Sequence, residues 1–362
     1  MPADPRFGNA QRPRSRRESV FINDMHQIIG LIEVQGLAFS FLNIVPNIER
    51  RVLKSTDFPV IVPTVGSYST QETNMTVQYT DQTHKSQAAI TRFQEGEKMI
   101  RGTGFEALSF IHRQLDGLMD PLIMVDHFTM SEPTFGPHAH AGISAVSVLF
   151  EDSTGSFRNR DSLGNDIELA PGDLYWLKAA RGAVHDEAPT PGSRTHALQI
   201  FVNLPAAQKQ NMPNARHVPA DEMPVIEGPD HRVRVMTGKS NGVLGATTPA
   251  MPFTILDIAL QANGSFNHRA DPGDASWLHV IRGEIEVEID GTRHRLGHDT
   301  ALATHGADEI HLLSGKGGQA VLLSGAPLRE AFVQKGPFAM SDTDQLAAVI
   351  AAHEAGEFGS VD

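Results

Sequence analysis

Residues Glu284 to Ile289 (EIEVEI) alternate carboxylate and aliphatic side chains, Asp290-Gly291 follows, and Thr292 to Leu296 returns. Successive side chains of a strand point to opposite faces, so one face of such a hairpin is buried and the other is wet. Asp-Gly is a two-residue connection whose twist suits paired strands. The same pattern recurs along the chain. Arg232 to Met236, Phe253 to Leu260, Trp277 to Ile281 and Gln319 to Ser324 read as strands around this hairpin. An earlier block holds Ile143 to Phe150 (ISAVSVLF), whose alternation predicts a half-buried strand. It continues through a turn cluster at Asp161 to Asn165, Ile167 to Leu169, the Pro171-Gly172-Asp173 turn, Leu174 to Leu177, and His196 to Leu204 (HALQIFVNL). Many short strands divided by turns predict a barrel or sandwich. Two such blocks, separated by a Pro/polar linker at about 205–230, predict a duplicated all-β architecture.

The two ends differ from this text. Residues 1–90 show no sustained period and read as a weakly structured extension. Met75 lies just before organised patterns begin, so residues 1–74 are expected to be dispensable for metal binding. Ser15-Arg16-Arg17 faintly resembles a twin-arginine export signal, but Asp24 and Glu33 intrude and no small-residue cleavage site follows. The most apolar stretch, Ile28 to Val45, is interrupted by Glu33, Gln35 and Asn43, which argues against a membrane span. A cytoplasmic protein is expected. At the other end, Asp342 to Ala355 reads as a helix, with Leu346, Val349 and Ile350 as its apolar stripe. Ser341 with Asp344 resembles a capping box, and Gly356 ends the segment.

Composition removes several kinds of chemistry. The chain has no cysteine, so no disulfide, thiolate ligand or thiol nucleophile is available. Its net charge of −13 disfavours nucleic acid and anionic membranes as partners. A metal would have to be held by histidine, carboxylate or water.

Two histidine-bearing pairs stand out among 17 histidines. They are His138-Ala139-His140 and His185-Asp186-Glu187. Residues i and i+2 of an extended chain share a face, so each pair aims together. If both segments line one barrel, three imidazoles and a carboxylate converge. Such a donor set suits Fe, Mn, Ni, Cu or Zn. In the second block, His268 is followed two residues on by Ala270, and His305 and His311 lie far apart, so no matching set is expected there.

Several runs resemble the pirin family, in that family's order. They are Asp120–Phe128 (DPLIMVDHF), Gly136–Gly142 (GPHAHAG), Arg160–Asn165 (RDSLGN), Pro171–Trp176 (PGDLYW), Arg181–Glu187 (RGAVHDE), Gln199–Pro205 (QIFVNLP) and Gly336–Met340 (GPFAM). The resemblance spans roughly 95–355. It implies a bicupin, with two antiparallel jelly-roll barrels in tandem and a short C-terminal helix. The divisions are then a metal-binding barrel at 91–210, a barrel without a metal set at 211–330 and a C-terminal segment at 331–362. The resemblance also implies iron(II), with the family's ligands falling on His138, His140, His185 and Glu187. The chain departs from the family at Ala141 and Ser144, where Arg and Glu are usual. Neither is a ligand position, but both bear on the charge around the pocket. Asp186 replaces a serine and is expected to point away from the metal.

Pirin-like proteins include quercetin 2,3-dioxygenases and metal-dependent regulators. The resemblance therefore implies either of two functions. One is a dioxygenase using an aromatic substrate and dioxygen, with Glu187 as catalytic base. The other is a metal-loaded, redox-sensing regulator that binds a protein partner.

Overall fold

The computed structural model describes residues 89–115 and 117–361. The expectations for residues 1–88, among them the twin-arginine run and the role of residues 1–74, lie outside the described residues.

The strands run in chain order as β1 (Ile90–Glu95), β2 (Glu97–Arg101), β3 (Phe105–Ile111), β4 (Leu122–Met130), β5 (His138–His140), β6 (Ile143–Leu149), β7 (Phe157–Asp161), β8 (Asp166–Leu169), β9 (Leu174–Lys178), β10 (Ala183–Pro189), β11 (Thr195–Asn203) and β12 (Asn214–Val218). A seven-stranded sheet, β12-β9-β6-β11-β4-β3-β2, is closed by a four-stranded one, β5-β10-β7-β8. Together they form the first barrel. The chain continues as β13 (Val225–Glu227), β14 (His231–Thr237), β15 (Lys239–Ser240), β16 (Val243–Leu244), β17 (Thr254–Leu260), β18 (Gly264–Arg269), β19 (Ala275–Gly283), β20 (Ile285–Ile289), β21 (Thr292–Leu296), β22 (Thr300–His305), β23 (Glu309–Ser314), β24 (Gly318–Gly325), β25 (Val333–Lys335) and β26 (Phe338–Met340). Here the seven-stranded sheet is β1-β22-β19-β24-β17-β14-β13, and the four-stranded one is β18-β23-β20-β21. The fold is a bicupin.

The β20–β21 hairpin forms as its sequence predicts. Ile289 pairs with Thr292, and both turn residues take positive φ, Asp290 at 49° and Gly291 at 73°. Positive φ at both central positions is the type I′ geometry that follows the strand twist.

Three features differ from the reading by sequence. Strand β1 lies at the start of the text grouped with the first barrel, yet it pairs along β22 from Ile90↔His305 to Glu95↔Thr300. It is thus an edge of the second barrel's large sheet, and alternation within six residues says nothing about which edge is free. The linker at 205–230 contains β12 and β13, which close the edges of the two large sheets beside β9 and β14. Strand β6 is buried at all seven positions rather than half-buried. One face lies inside its barrel and the other is covered by the second barrel.

That covering creates a continuous core between the barrels. Val146, Val148, Trp176, Leu198 and Ile200 of the first barrel share one apolar cluster with Trp277, Ala301, Ala303, Val321 and Leu323 of the second. Phe110 meets Trp277 edge-to-face at 5.4 Å between ring centroids. Burial of this kind contributes about 25 cal/mol per Å² of apolar surface.

The C-terminal helix, α1 (Thr343–Glu354), is capped by Asp342 rather than Ser341. The Asp342 carboxylate accepts from the Gln345 amide nitrogen at 2.8 Å and from its side chain at 3.0 Å. The motif is shifted by one residue, with Gln345 in the third helical position. At the other end, Glu357 N–H donates to Ala352 O and Gly356 N–H donates to His353 O, a Schellman closure with Gly356 at φ 77°.

Candidate metal centre

Strands β5 and β10 pair antiparallel, with His138 opposite His185 and His140 opposite Ala183. Alternation turns the three histidines into the first barrel. It turns Ala139 and Val184 outward, onto Phe338, Met340, Val349 and Phe358 of the C-terminal segment. The hairpin β25–β26 and α1 therefore buttress the histidine-bearing strands from behind.

The histidine nitrogens converge. His185 Nε2 lies 2.9 Å from His140 Nε2 and 3.0 Å from His138 Nε2. Among the described residues, these three form the one cluster of three or more metal-ligating side chains, with ligand atoms within 4.8 Å of one another. His138 Nδ1 lies 2.9 Å from the Gly136 carbonyl, which can only accept. Nδ1 therefore carries the proton, and Nε2 turns a lone pair to the cluster. A proton on His185 Nε2 can serve one of its two neighbours, not both. The Nδ1 atoms of His140 and His185 are buried without a hydrogen-bond partner among the described residues. A divalent ion among the three Nε2 atoms would satisfy all three lone pairs together.

Burial keeps these rings neutral, which is the ligating form. It pushes His138 and His185 down to about 4, with His185 adding to the effect at His138. His140 is driven well below the ordinary imidazole value by burial, then by His185 and His138.

Glu187 shares the interior face of β10 with His185, but its carboxylate stands beside the histidine cluster rather than within it. Oε1 accepts from Asn159 Nδ2 at 2.5 Å and from the Ser147 hydroxyl. Oε2 lies 3.8 Å from His185 Nδ1. Burial raises the Glu187 carboxyl above its ordinary value, while the two donors pull it back. Ser147 Oγ also lies 3.1 Å from Gln199 Oε1. Sequence reasoning did not select Ser147, Asn159 or Gln199. The available signal was a serine interrupting an apolar run at an interior position of β6, and an asparagine directly opposite Glu187 on β7.

The neighbouring positions sort themselves by face. Asp186 points away, as expected, and pairs with Arg160 at 2.6 Å. Ala141 packs with Val184, Phe338 and Met340, so it faces the C-terminal segment. Ser144 shares the face of Val146 and Val148, toward the second barrel. Neither departure is aimed at the histidine cluster. The loop Asp161–Asn165 braces β10 from the side. Ser162 N–H donates to Val184 O at 2.8 Å, and Val184 N–H donates to Ser162 Oγ at 3.0 Å. In the second barrel, His268 Nδ1 bonds to Ser240 Oγ at 3.0 Å, and His305 Nε2 lies 3.4 Å from Arg329. The interior of that barrel is filled with aliphatic side chains such as Val235, Leu256, Leu278, Val287 and Leu312.

The pirin family model matches residues 103–202, and the model of the pirin C-terminal cupin domain matches residues 255–359. Mouse pirin is 30% identical over 235 residues, covering 64% of this chain and 80% of that protein.

The chain belongs to the pirin family.

A Pseudomonas aeruginosa relative, named as a candidate quercetin 2,3-dioxygenase, is 30% identical over 273 residues, 71% of this chain and 93% of its own. Among solved structures, a quercetin 2,3-dioxygenase from Acinetobacter baumannii superposes with a TM-score of 0.66 at 24% identity, covering 76% of this chain and 98% of that one. A bacterial pirin from Escherichia coli in complex with nickel(II) gives 0.52 at 15% identity, covering 66% and 100%. At these identities the two structures speak to the fold. Among the described residues, no helix is long and apolar enough to cross a membrane.

Proposed function

We propose that this pirin is a metal-dependent dioxygenase in which His138, His140 and His185 hold iron(II), and that it acts on quercetin or a similarly enolisable aromatic. Glu187 serves as the fourth ligand and as the catalytic base. The observation that carries this reading is the convergence of three neutral Nε2 atoms next to a buried carboxylate. The candidate dioxygenase name of the Pseudomonas aeruginosa relative supports the substrate class. Nickel, copper, manganese and zinc also suit the donor set, and the Escherichia coli pirin carries nickel(II).

A bound metal would polarise the substrate oxygens and bring dioxygen to them. The protein residues have separate tasks. Ser147 and Asn159 fix Glu187 Oε1, which leaves Oε2 as the atom for both roles, ligand and acceptor of the substrate hydroxyl proton. Burial raises the affinity of that carboxylate for the proton it takes. Phe201 stands edge-on to His140, 5.0 Å between ring centroids, and lines that side of the cluster with an apolar ring. His138 is more exposed than His140 and His185, so it marks the approach for a ligand.

Oxygen uptake with quercetin, using anaerobically iron-loaded full-length protein, tests this function. Metal-dependent uptake that disappears in Glu187→Gln is expected. No uptake with any flavonol at full metal occupancy would refute the substrate assignment.

A further inference from the structure

On the opposite face of β4 and β11 from the metal centre, a second group of histidines crosses between the barrels. His127 Nδ1 lies 2.9 Å from His279 Nε2, and His127 Nε2 lies 2.8 Å from His196 Nε2. Both ends of this row meet oxygen acceptors. His279 Nδ1 lies 3.0 Å from the Thr300 carbonyl, and His196 Nδ1 lies 2.8 Å from Asp152 Oδ1. His127 and His196 belong to the first barrel, and His279 and Thr300 to the second.

The protons in this row can be counted. The Thr300 carbonyl cannot donate, so His279 Nδ1 carries a proton and, in a neutral ring, Nε2 accepts. His127 Nδ1 must then donate to it, leaving His127 Nε2 as an acceptor. His196 Nε2 must donate in turn, leaving His196 Nδ1 bare against the Asp152 carboxylate. Three neutral imidazoles supply three protons for four contacts, so one contact is left as acceptor against acceptor. A fourth proton completes the row and makes one ring cationic.

The surroundings decide which ring takes the charge. Burial, then His279, His196 and His298, press His127 down to about 2. Burial also takes His279 down to about 4. His196 is at the solvent end, with its side chain 12% exposed against the 47% exposed Asp152. A charge on His196 is solvated and lies against Asp152, whereas one on His127 or His279 would be buried. We propose that the interface between the two barrels stores one proton on His196, making the Asp152–His196–His127–His279 row a pH-sensitive latch.

Among the described residues, the other ionisable groups around the row do not supply the missing donor. His298 has ring centroids 5.9 Å from His127 and 6.3 Å from His279. It is turned to Asp299, with Nδ1 at 3.2 Å. Lys98 acts on Asp299. Glu106 on β3 takes its hydrogen bond from Thr129, the residue paired with His196 on β4. Glu151, next to Asp152, is held by Arg232. When the stored proton leaves, the row has three protons for four contacts, and one link between Asp152 and the second barrel must open. The folded state binds a proton that the unfolded chain releases near neutrality, so this contribution to stability falls as pH rises.

Histidine side-chain nitrogen NMR on full-length protein tests the latch, with signals assigned through His196→Gln and His279→Gln. At about pH 7.5, where a free imidazole is about nine-tenths neutral, His196 is expected to carry protons on both nitrogens. His127 and His279 are expected to be neutral with the proton on Nδ1. In Asp152→Asn the amide can donate to His196 Nδ1, three protons then suffice, and His196 should become neutral at that pH. Urea unfolding gives a second readout: the protein should lose stability relative to Asp152→Asn as pH rises above about 6.5, the value of a free imidazole. A neutral His196 in the unsubstituted protein, or a doubly protonated His196 that persists in Asp152→Asn, would overturn the proposal. So would parallel pH profiles for the two proteins.

Discussion

Gly142, two residues beyond His140, is pressed against Ala339 of the C-terminal hairpin. A Cβ on Gly142 would meet the Ala339 carbonyl oxygen at 1.9 Å, and φ at this position is 73°. The Ala339 amide in turn donates to Ala141 O at 3.0 Å. The chain leaving the histidine cluster and the C-terminal segment are thus fitted backbone to backbone. Gly142→Ala combines a left-handed φ with a backbone clash, and should cost about 2 kcal/mol or more. Urea denaturation of the variant is the check, and an unchanged midpoint would show that the contact is not tight.

Phe358 makes the same point from the other side. Its ring occupies the space where a Gly182 Cβ would lie, 2.2 Å from the nearest ring atom, and it stacks on His353 at 5.5 Å. Phe358→Ala should destabilise the protein by about 3 kcal/mol. Because the cluster backs β5 and β10, metal affinity should fall with stability. A thermal melt and a metal-competition titration on the same sample separate the two losses. Loss of stability with full metal affinity would show that the buttress does not reach the histidine cluster.

Asn159 and Ser147 set the orientation of Glu187. Asn159→Leu removes one donor from Glu187 Oε1 at nearly constant volume. Loss of a group that orients a ligand typically lowers metal affinity by about 10–100-fold. Calorimetric titration with iron(II) or nickel(II) under argon measures this. An affinity within error of the parent protein would place Glu187 outside the metal's reach.

Lys209 closes the space beneath Gly142. Its Nζ donates to Gly142 O and Ala339 O, each at 2.8 Å, and to Asn203 Oδ1 at 2.5 Å. Burial pushes this ammonium down to about 7, partly opposed by Glu330. An unfolded lysine titrates near 10.4. Between those values the unfolded chain binds more protons than the folded one, so stability should rise with pH from about 7 to 10. Lys209→Met should lack that rise. If the two unfolding curves have the same pH dependence, the three oxygens hold Lys209 charged throughout.

How far the sequence carried depends on whether information was local. The His-x-His and His-x-Glu pairs were legible because alternation is a property of one strand. Alternation also placed Asp186 on the far face. It did not place β1 in the second barrel or make β12 and β13 sheet edges, since strand partners are set by distant pairing. The Ala141 and Ser144 departures looked relevant to the pocket because they lie beside His140 in sequence. Ala141 is turned to Phe338 and Met340, and Ser144 to the second barrel, which only the assembled fold shows. The His127–His196–His279 row joins three strands of two barrels, and no local pattern marks it.

Metal content of the purified His185→Ala variant tests the central claim most directly, because His185 Nε2 is the atom that both other histidines approach. Elemental analysis beside the parent protein, loaded and desalted identically, should give about one divalent ion per parent chain and a near-complete loss in the variant. Equal metal content in the two proteins would contradict the assignment of His138, His140 and His185 as the site.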